Sequence, residues 1–132
     1  MPLISIVVPC YNEQESLPIF LKELDGVVHA MTQTHPDTSF EAVLIDDGSV
    51  DATLTVMKAE AASNHSYTIH WHSFSRNFGK EAALLAGLQH AKGDYVATMD
   101  ADMQDPPSLL PQMYEILQTE DYDNNIKFTE GN

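Results

Sequence analysis

Leu3-Ile4-Ser5-Ile6-Val7-Val8, stopped by Pro9, is a short β-branched run that reads as a buried strand. The residues that follow keep a different period. Leu17, Phe20, Leu21, Leu24, Val28 and Met31 recur at i, i+3, i+4 and i+7, which puts one apolar helix stripe against a sheet. Asn12 is placed to cap that helix, with Glu13 and Glu15 in its first turn. The unit then repeats. Residues 40–45 form a second strand stopped by Asp46-Asp47-Gly48-Ser49, and Asp51 or Ser49 caps a helix that runs to Ala62. Residues 67–74 read as a third strand, 81–91 as a helix ended by Gly93, and 95–99 as a fourth strand. After Pro106-Pro107, Leu109, Leu110, Met113, Ile116 and Leu117 mark one side of a fourth helix.

Strands alternating with helices imply βαβ units, so the fold class is α/β. The expected architecture is a mainly parallel, four-stranded Rossmann-like sheet flanked by helices, with residues 1–118 as the domain. Residues 119–132 are polar, with a brief apolar alternation at Ile126 and Phe128, and read as a weak extension or frayed tail. In open parallel sheets ligands bind beyond the carboxyl ends of the strands. The polar clusters at residues 11–13, 46–49, 75–80 and 100–105 all follow strands, so the topology brings them to one edge.

Composition narrows what can bind there. In 132 residues the formal charge is −14, which argues against nucleic acid as a partner and against simple adhesion to anionic lipid. One cysteine, Cys10, excludes an internal disulfide and a cysteine-based zinc site and fits a reducing, cytoplasmic setting. The first nine residues lack the pattern of a signal peptide, and no apolar run approaches the ~20 residues of a membrane span. The six glycines are isolated, so neither G-x-G-x-x-G nor a P-loop is present.

Asp100-Ala101-Asp102-Met103-Gln104-Asp105 is the sharpest chemical signal. In an extended chain Asp100, Asp102 and Gln104 share one side, and three oxygen ligands with room for water suit Mg²⁺ or Mn²⁺. A divalent ion also lets a diphosphate dock on an acidic protein. The same residues serve equally as a solvated turn before a helix. Asp46-Asp47-Gly48-Ser49 can accept from a base N–H or a sugar hydroxyl, or can be turn and cap alone. Arg76 and Lys80, beside a helix start, can hold a pyrophosphate together with the helix N–H groups, or can be surface cations among acids. Tyr11 can stack on a base or simply pack. His70 and His72 flank Trp71 on one strand face and read as structural histidines, a two-His metal site lacking an evident third ligand.

The motifs Ile6-Val7-Val8-Pro9-Cys10-Tyr11-Asn12-Glu13, Leu44-Ile45-Asp46-Asp47-Gly48-Ser49-Val50-Asp51, Ser75-Arg76-Asn77-Phe78-Gly79-Lys80 and Met99-Asp100-Ala101-Asp102-Met103-Gln104-Asp105-Pro106-Pro107 resemble those of family 2 glycosyltransferases of GT-A fold. The nearest likeness is to polyprenyl-phosphate sugar transferases, the dolichol-phosphate mannose synthases and undecaprenyl-phosphate glucosyltransferases. This resemblance implies a nucleotide-diphosphate sugar donor, UDP- or GDP-hexose, and a lipid-phosphate acceptor. It implies that Pro9, Tyr11 and Glu13 line the nucleoside pocket, that Asp47 pairs with the base edge, and that Arg76 lies near the base or phosphates. Asn12, Asp46 and Lys80 complete the donor-binding set together with Asp100. Asp100, Asp102 and Gln104 would hold the ion, with Asp102 carrying the catalytic role. Family members run to roughly twice this length or more. Their later half supplies acceptor-binding residues and often membrane helices, which would place the whole protein on the cytoplasmic face of a membrane. Residues 119–132 do not match the strand and arginine-bearing loop that continue the family pattern, so the likeness covers the donor half. An open sheet edge is then expected there, with self-association into a homo-oligomer. A catalytically incomplete nucleotide-sugar-binding module is the alternative, and a sugar nucleotidyltransferase, which would carry a Gly-rich basic loop after the first strand, is a weaker rival.

Overall fold

A computed structural model describes residues 2–104, 106–119 and 127–130. Along the chain run β1 (Leu3–Cys10), α1 (Ser16–Thr34), β2 (Ser39–Asp46), α2 (Thr53–Ala61), β3 (Thr68–Ser73), α3 (Lys80–His90), β4 (Tyr95–Thr98), α4 (Leu110–Thr119) and β5 (Lys127–Glu130). The strands form one sheet in the order β3-β2-β1-β4-β5, every pair parallel. The α/β class and the four parallel strands with their flanking helices are as read from the sequence. A fifth strand joins them. It lies in the stretch read as a weak extension or frayed tail, and it covers the edge of β4 that the sequence leaves open. The brief apolar alternation there is a weak signal over four residues, and the backbone edge of β4 supplies the pairing. The rest of that stretch, with Asp105, lies outside the described residues.

Alternation along β1 separates two packed layers. Ile4, Ile6 and Val8 face the helical layer of α1, α2 and α4, where Leu17, Phe20, Leu21, Leu24, Val28, Met57 and Leu110 are buried. Each such side chain contributes roughly 1.5–3 kcal/mol by leaving water. All six residues of the expected α1 stripe are buried. Val7, Val43, Ile45 and Val96 face α3, which meets them through Ala83. That helix lies close because Gly87 has no side chain: a Cβ there would come within 2.2 Å of Val7 Cγ1. Glu41, buried on this face, accepts Ser5 Oγ and, at 2.8 Å, the Lys92 N–H.

Three local expectations change. Asn12 does not cap α1; it takes a left-handed conformation (φ 55°) that asparagine tolerates, and α1 begins at Ser16 without a side-chain cap. Ile116 on α4 is exposed and Tyr114 takes the buried position, because a 3-10 turn at Pro107–Leu109 precedes α4 and alters the phase of its face. His70 is half-exposed, 3.6 Å from Glu41, whereas His72 stacks on His90 of α3 with ring centroids 3.6 Å apart. Among the described residues no helix is long and apolar enough to cross a membrane.

Candidate functional site

The register sets the site. Cys10 is level with Asp46, and Asp46 with Ser73, so β1, β2 and β3 end together. β4 stops earlier, with Thr98 beside Val7. Strand order also reverses at β1, since β2 and β3 lie to one side and β4 to the other. A crevice opens at such a switch point because the loops after the two central strands leave in opposite directions. Here the β1–α1 loop forms one wall and the chain after β4 the other.

The resulting cleft, about 270 Å³, is lined by Pro9, Tyr11 and Glu13 on the first wall and by Asp100, Asp102 and Gln104 on the second. Asp47 and Lys80 close it from the side of β2 and α3, with Cys10 and Ala101 filling its surface. Eight expected site residues therefore meet in one place. Asn12, Glu13, Asp51 and Asp102 also border an adjoining hollow.

Asn12, Asp46 and Arg76 do not line the cleft. Asn12 is a fastener between loops: its N–H donates to Ser49 Oγ and its Oδ1 accepts the Val50 N–H, both at 2.9 Å. Neighbouring bonds from Glu13 N to Thr53 Oγ1 (2.8 Å) and from Ala52 N to Gln14 Oε1 (2.8 Å) lock the same pair of loops. Asp46 is buried and organises its own turn, accepting Ser49 N at 3.0 Å and Ser73 Oγ at 2.9 Å. Arg76 turns aside, its guanidinium 4.1 Å from the Phe78 ring centre.

Asp47 faces the cleft with its carboxylate already engaged. Oδ1 accepts Phe78 N at 2.8 Å, Gly79 N lies within 3.2 Å of both oxygens, and Asn77 Nδ2 donates to Oδ2 at 3.0 Å. Asp47 thus places a carboxylate at the entry to α3, where it accepts the N–H of Gly79, the residue that precedes the helix. Gly48 makes this possible: at φ +66°, a Cβ there would lie 2.1 Å from the Arg76 carbonyl carbon. Sequence reasoning passes over Asn77, Phe78 and Gly79 as partners of Asp47. The available signal is Gly79 immediately before a helix, where backbone donors await an acceptor.

The expected extended spacing of Asp100, Asp102 and Gln104 is replaced by a turn. Met103 is left-handed (φ 69°) and Gln104 N donates to Asp102 Oδ1 at 3.1 Å. Compact turning, rather than strand geometry, brings the three to one wall. Lys80 Nζ lies 3.0 and 3.1 Å from the two oxygens of Asp100. Among the described residues no three His, Cys, Asp or Glu side chains gather around one point. The donors on this wall are two carboxylates and a carboxamide, a hard oxygen set that fits Mg²⁺ or Mn²⁺ with positions left for water and phosphate. Negative charge accumulates here. Burial first, then the Asp102, Asp100 and Asp51 carboxylates, holds the Glu13 carboxyl above its usual range, against the Ser16 hydrogen bond. Burial, then Glu13, Asp46 and Asp100, pushes the Cys10 thiol up.

The crevice lies at the switch point of a parallel sheet, walled by acids and one lysine, and the family model for glycosyl transferase family 2 matches residues 5–129. The chain belongs to that family. Similar curated proteins include the undecaprenyl-phosphate 4-deoxy-4-formamido-L-arabinose transferase of Sodalis glossinidius, 41% identical over 91% of this chain and 35% of that protein. The bactoprenol glucosyl transferase of Shigella phage SfV is 45% identical over 85% of this chain and 34% of that protein. The chain thus spans about a third of the length of these relatives. Among solved structures, residues 1–349 of S. aureus TarS share the fold with a TM-score of 0.67 at 22% identity, covering 87% of this chain and 32% of that one. The mannosyltransferase PcManGT from Pyrobaculum calidifontis, in complex with GDP-Man and Mn²⁺, gives 0.65 at 26% identity over 76% of this chain and 28% of its own. The sheet and its flanking helices are of the GT-A kind.

Proposed function

We propose that this chain is the donor-binding part of a hexosyltransferase that moves a sugar from UDP or GDP to a polyprenyl phosphate with the help of Mg²⁺ or Mn²⁺. One observation carries the reading: the Pro9–Glu13 wall and the Asp100–Gln104 wall face each other across the β1/β4 crevice. Tyr11, half-exposed, offers an aromatic face to the base, and Pro9 and Glu13 border the nucleoside. Asp100, Asp102 and Gln104 would hold the ion. Bound there, a divalent ion offsets negative charge on the departing nucleoside diphosphate.

The chemistry asks little more of the protein. An oxygen of the acceptor phosphate attacks the anomeric carbon as the bond from that carbon to the diphosphate oxygen breaks. That oxygen is already anionic at neutral pH, so no strong general base is needed. The acceptor and the cytoplasmic face of a membrane belong to the whole protein. The second reading is a nucleotide-sugar-binding module without turnover.

Calorimetric titration of UDP, GDP and their hexoses, with and without Mn²⁺, tests donor binding. Manganese-dependent binding supports the proposal, and its absence refutes it. Transfer from a radiolabelled donor to a lipid phosphate supports the enzyme, whereas binding without transfer selects the module.

A further inference from the structure

We propose that Lys80 is the resident counter-cation of Asp100, and that an incoming divalent ion must displace it, which ties ion binding to the arrival of a diphosphate. The inference rests on the donor-site reading above and adds a coupling role for one side chain. Lys80 is the first residue of α3, and its ammonium sits between both oxygens of Asp100 at 3.0 and 3.1 Å. Asp100 is a quarter exposed and Lys80 more than half exposed, so the pair opens without unpacking the core.

The electrostatics are directional. Asp100 lines a cleft to which Glu13, Asp47 and Asp102 also bring carboxylates, and among the described residues Lys80 is the basic one lining it. An ion approaching Asp100 alone meets the ammonium at the same two oxygens and is repelled by it. An ion arriving with a diphosphate brings anionic oxygens to which the ammonium can move on its flexible four-carbon stem. Lys80 therefore penalises the bare ion and rewards the ion–nucleotide pair, and each ligand raises the affinity of the other by the same factor. Lys80 is a positioning residue here, acting on the ion through Asp100.

Free Mn²⁺, followed by electron paramagnetic resonance, is titrated against the parent chain, Lys80→Met and Lys80→Arg, alone and then with UDP or GDP. The expected result is that Lys80→Met binds Mn²⁺ alone about three- to tenfold more tightly than the parent. The enhancement of Mn²⁺ affinity by nucleotide shrinks by a similar factor, and Lys80→Arg behaves as the parent. Lys80→Gln, melting at the parent temperature, repeats the comparison if the methionine variant is less stable. Unchanged or weaker binding of Mn²⁺ alone by the neutral variants, with the parent binding Mn²⁺ in the presence of nucleotide, overturns the exchange and leaves the donor site standing. A parent that binds no Mn²⁺ even with nucleotide overturns both.

Discussion

Asp47 accepts the backbone N–H of Phe78 at 2.8 Å, joining the end of β2 to the entry of α3 at the side of the cleft. The carboxylate also takes the N–H of Gly79, so α3 carries its N-terminal anion as part of the chain. Asp47→Ala leaves those donors and the Asn77 amide without their acceptor. A loss of about 2–4 kcal/mol in urea unfolding is expected, with faster amide exchange at Phe78 and Gly79. Asp47→Asn, which keeps one acceptor oxygen, loses about half as much. Stability equal to the parent in the alanine variant contradicts this role.

Two glycines predict opposite outcomes. Gly48→Ala drives a Cβ into the backbone of Arg76 and Asn77 at a left-handed position, and a cost of about 2–4 kcal/mol follows. Gly26, inside α1, has open space where a methyl group would project, with nothing within 4 Å. Gly26→Ala therefore stabilises by about 0.5–1 kcal/mol through helix propensity. Paired chemical denaturation curves read both.

His72 links stability to pH. Partial burial first, then His90 and His70, lowers its pKa from 6.5, so the folded chain binds a proton less readily than the unfolded one. The benefit of a neutral ring is intact above pH 6.5 and is lost as pH falls through that value toward the lower folded-state pKa. Between about pH 7.5 and 5.5 the parent should lose about 1–3 °C more in melting temperature than His72→Gln. Parallel losses in the two proteins remove His72 as the source.

Asp102→Asn should weaken Mn²⁺-dependent nucleotide binding by about 1–3 kcal/mol, since a charged ligand of the ion is lost. Without metal the variant should be no less stable than the parent, because Asp102 repels Glu13 across the cleft. Calorimetry and a thermal melt together test this, and equal nucleotide affinity in parent and variant sinks the assignment.

The elements with the strongest periodicity are legible in the chain. Six apolar residues of α1 at helical spacing can face only one way, and the β-branched core of β1 can only be interior. That every polar cluster follows a strand places the cleft without any geometry. Side-chain partnerships are not legible in the same way. Asp46 and Asp47 are adjacent and chemically identical, yet one braces a turn and the other borders the cleft, a difference set by pleat direction and the β3–α3 loop. Arg76 stacks on Phe78, a pairing of two near neighbours in sequence whose mutual geometry no spacing rule encodes. β5 escapes a reading by pattern because its pairing energy resides in the backbone of β4.

β4 contributes only four paired residues to β1, a short zipper in the middle of the sheet. A ligand grasped by the chain on both sides of that zipper acts as an external staple, so occupancy should slow amide exchange at Val96 and Ala97, well beneath the ligand itself. Catalysis aside, a donor bound in the cleft would hold a short seam of the sheet shut.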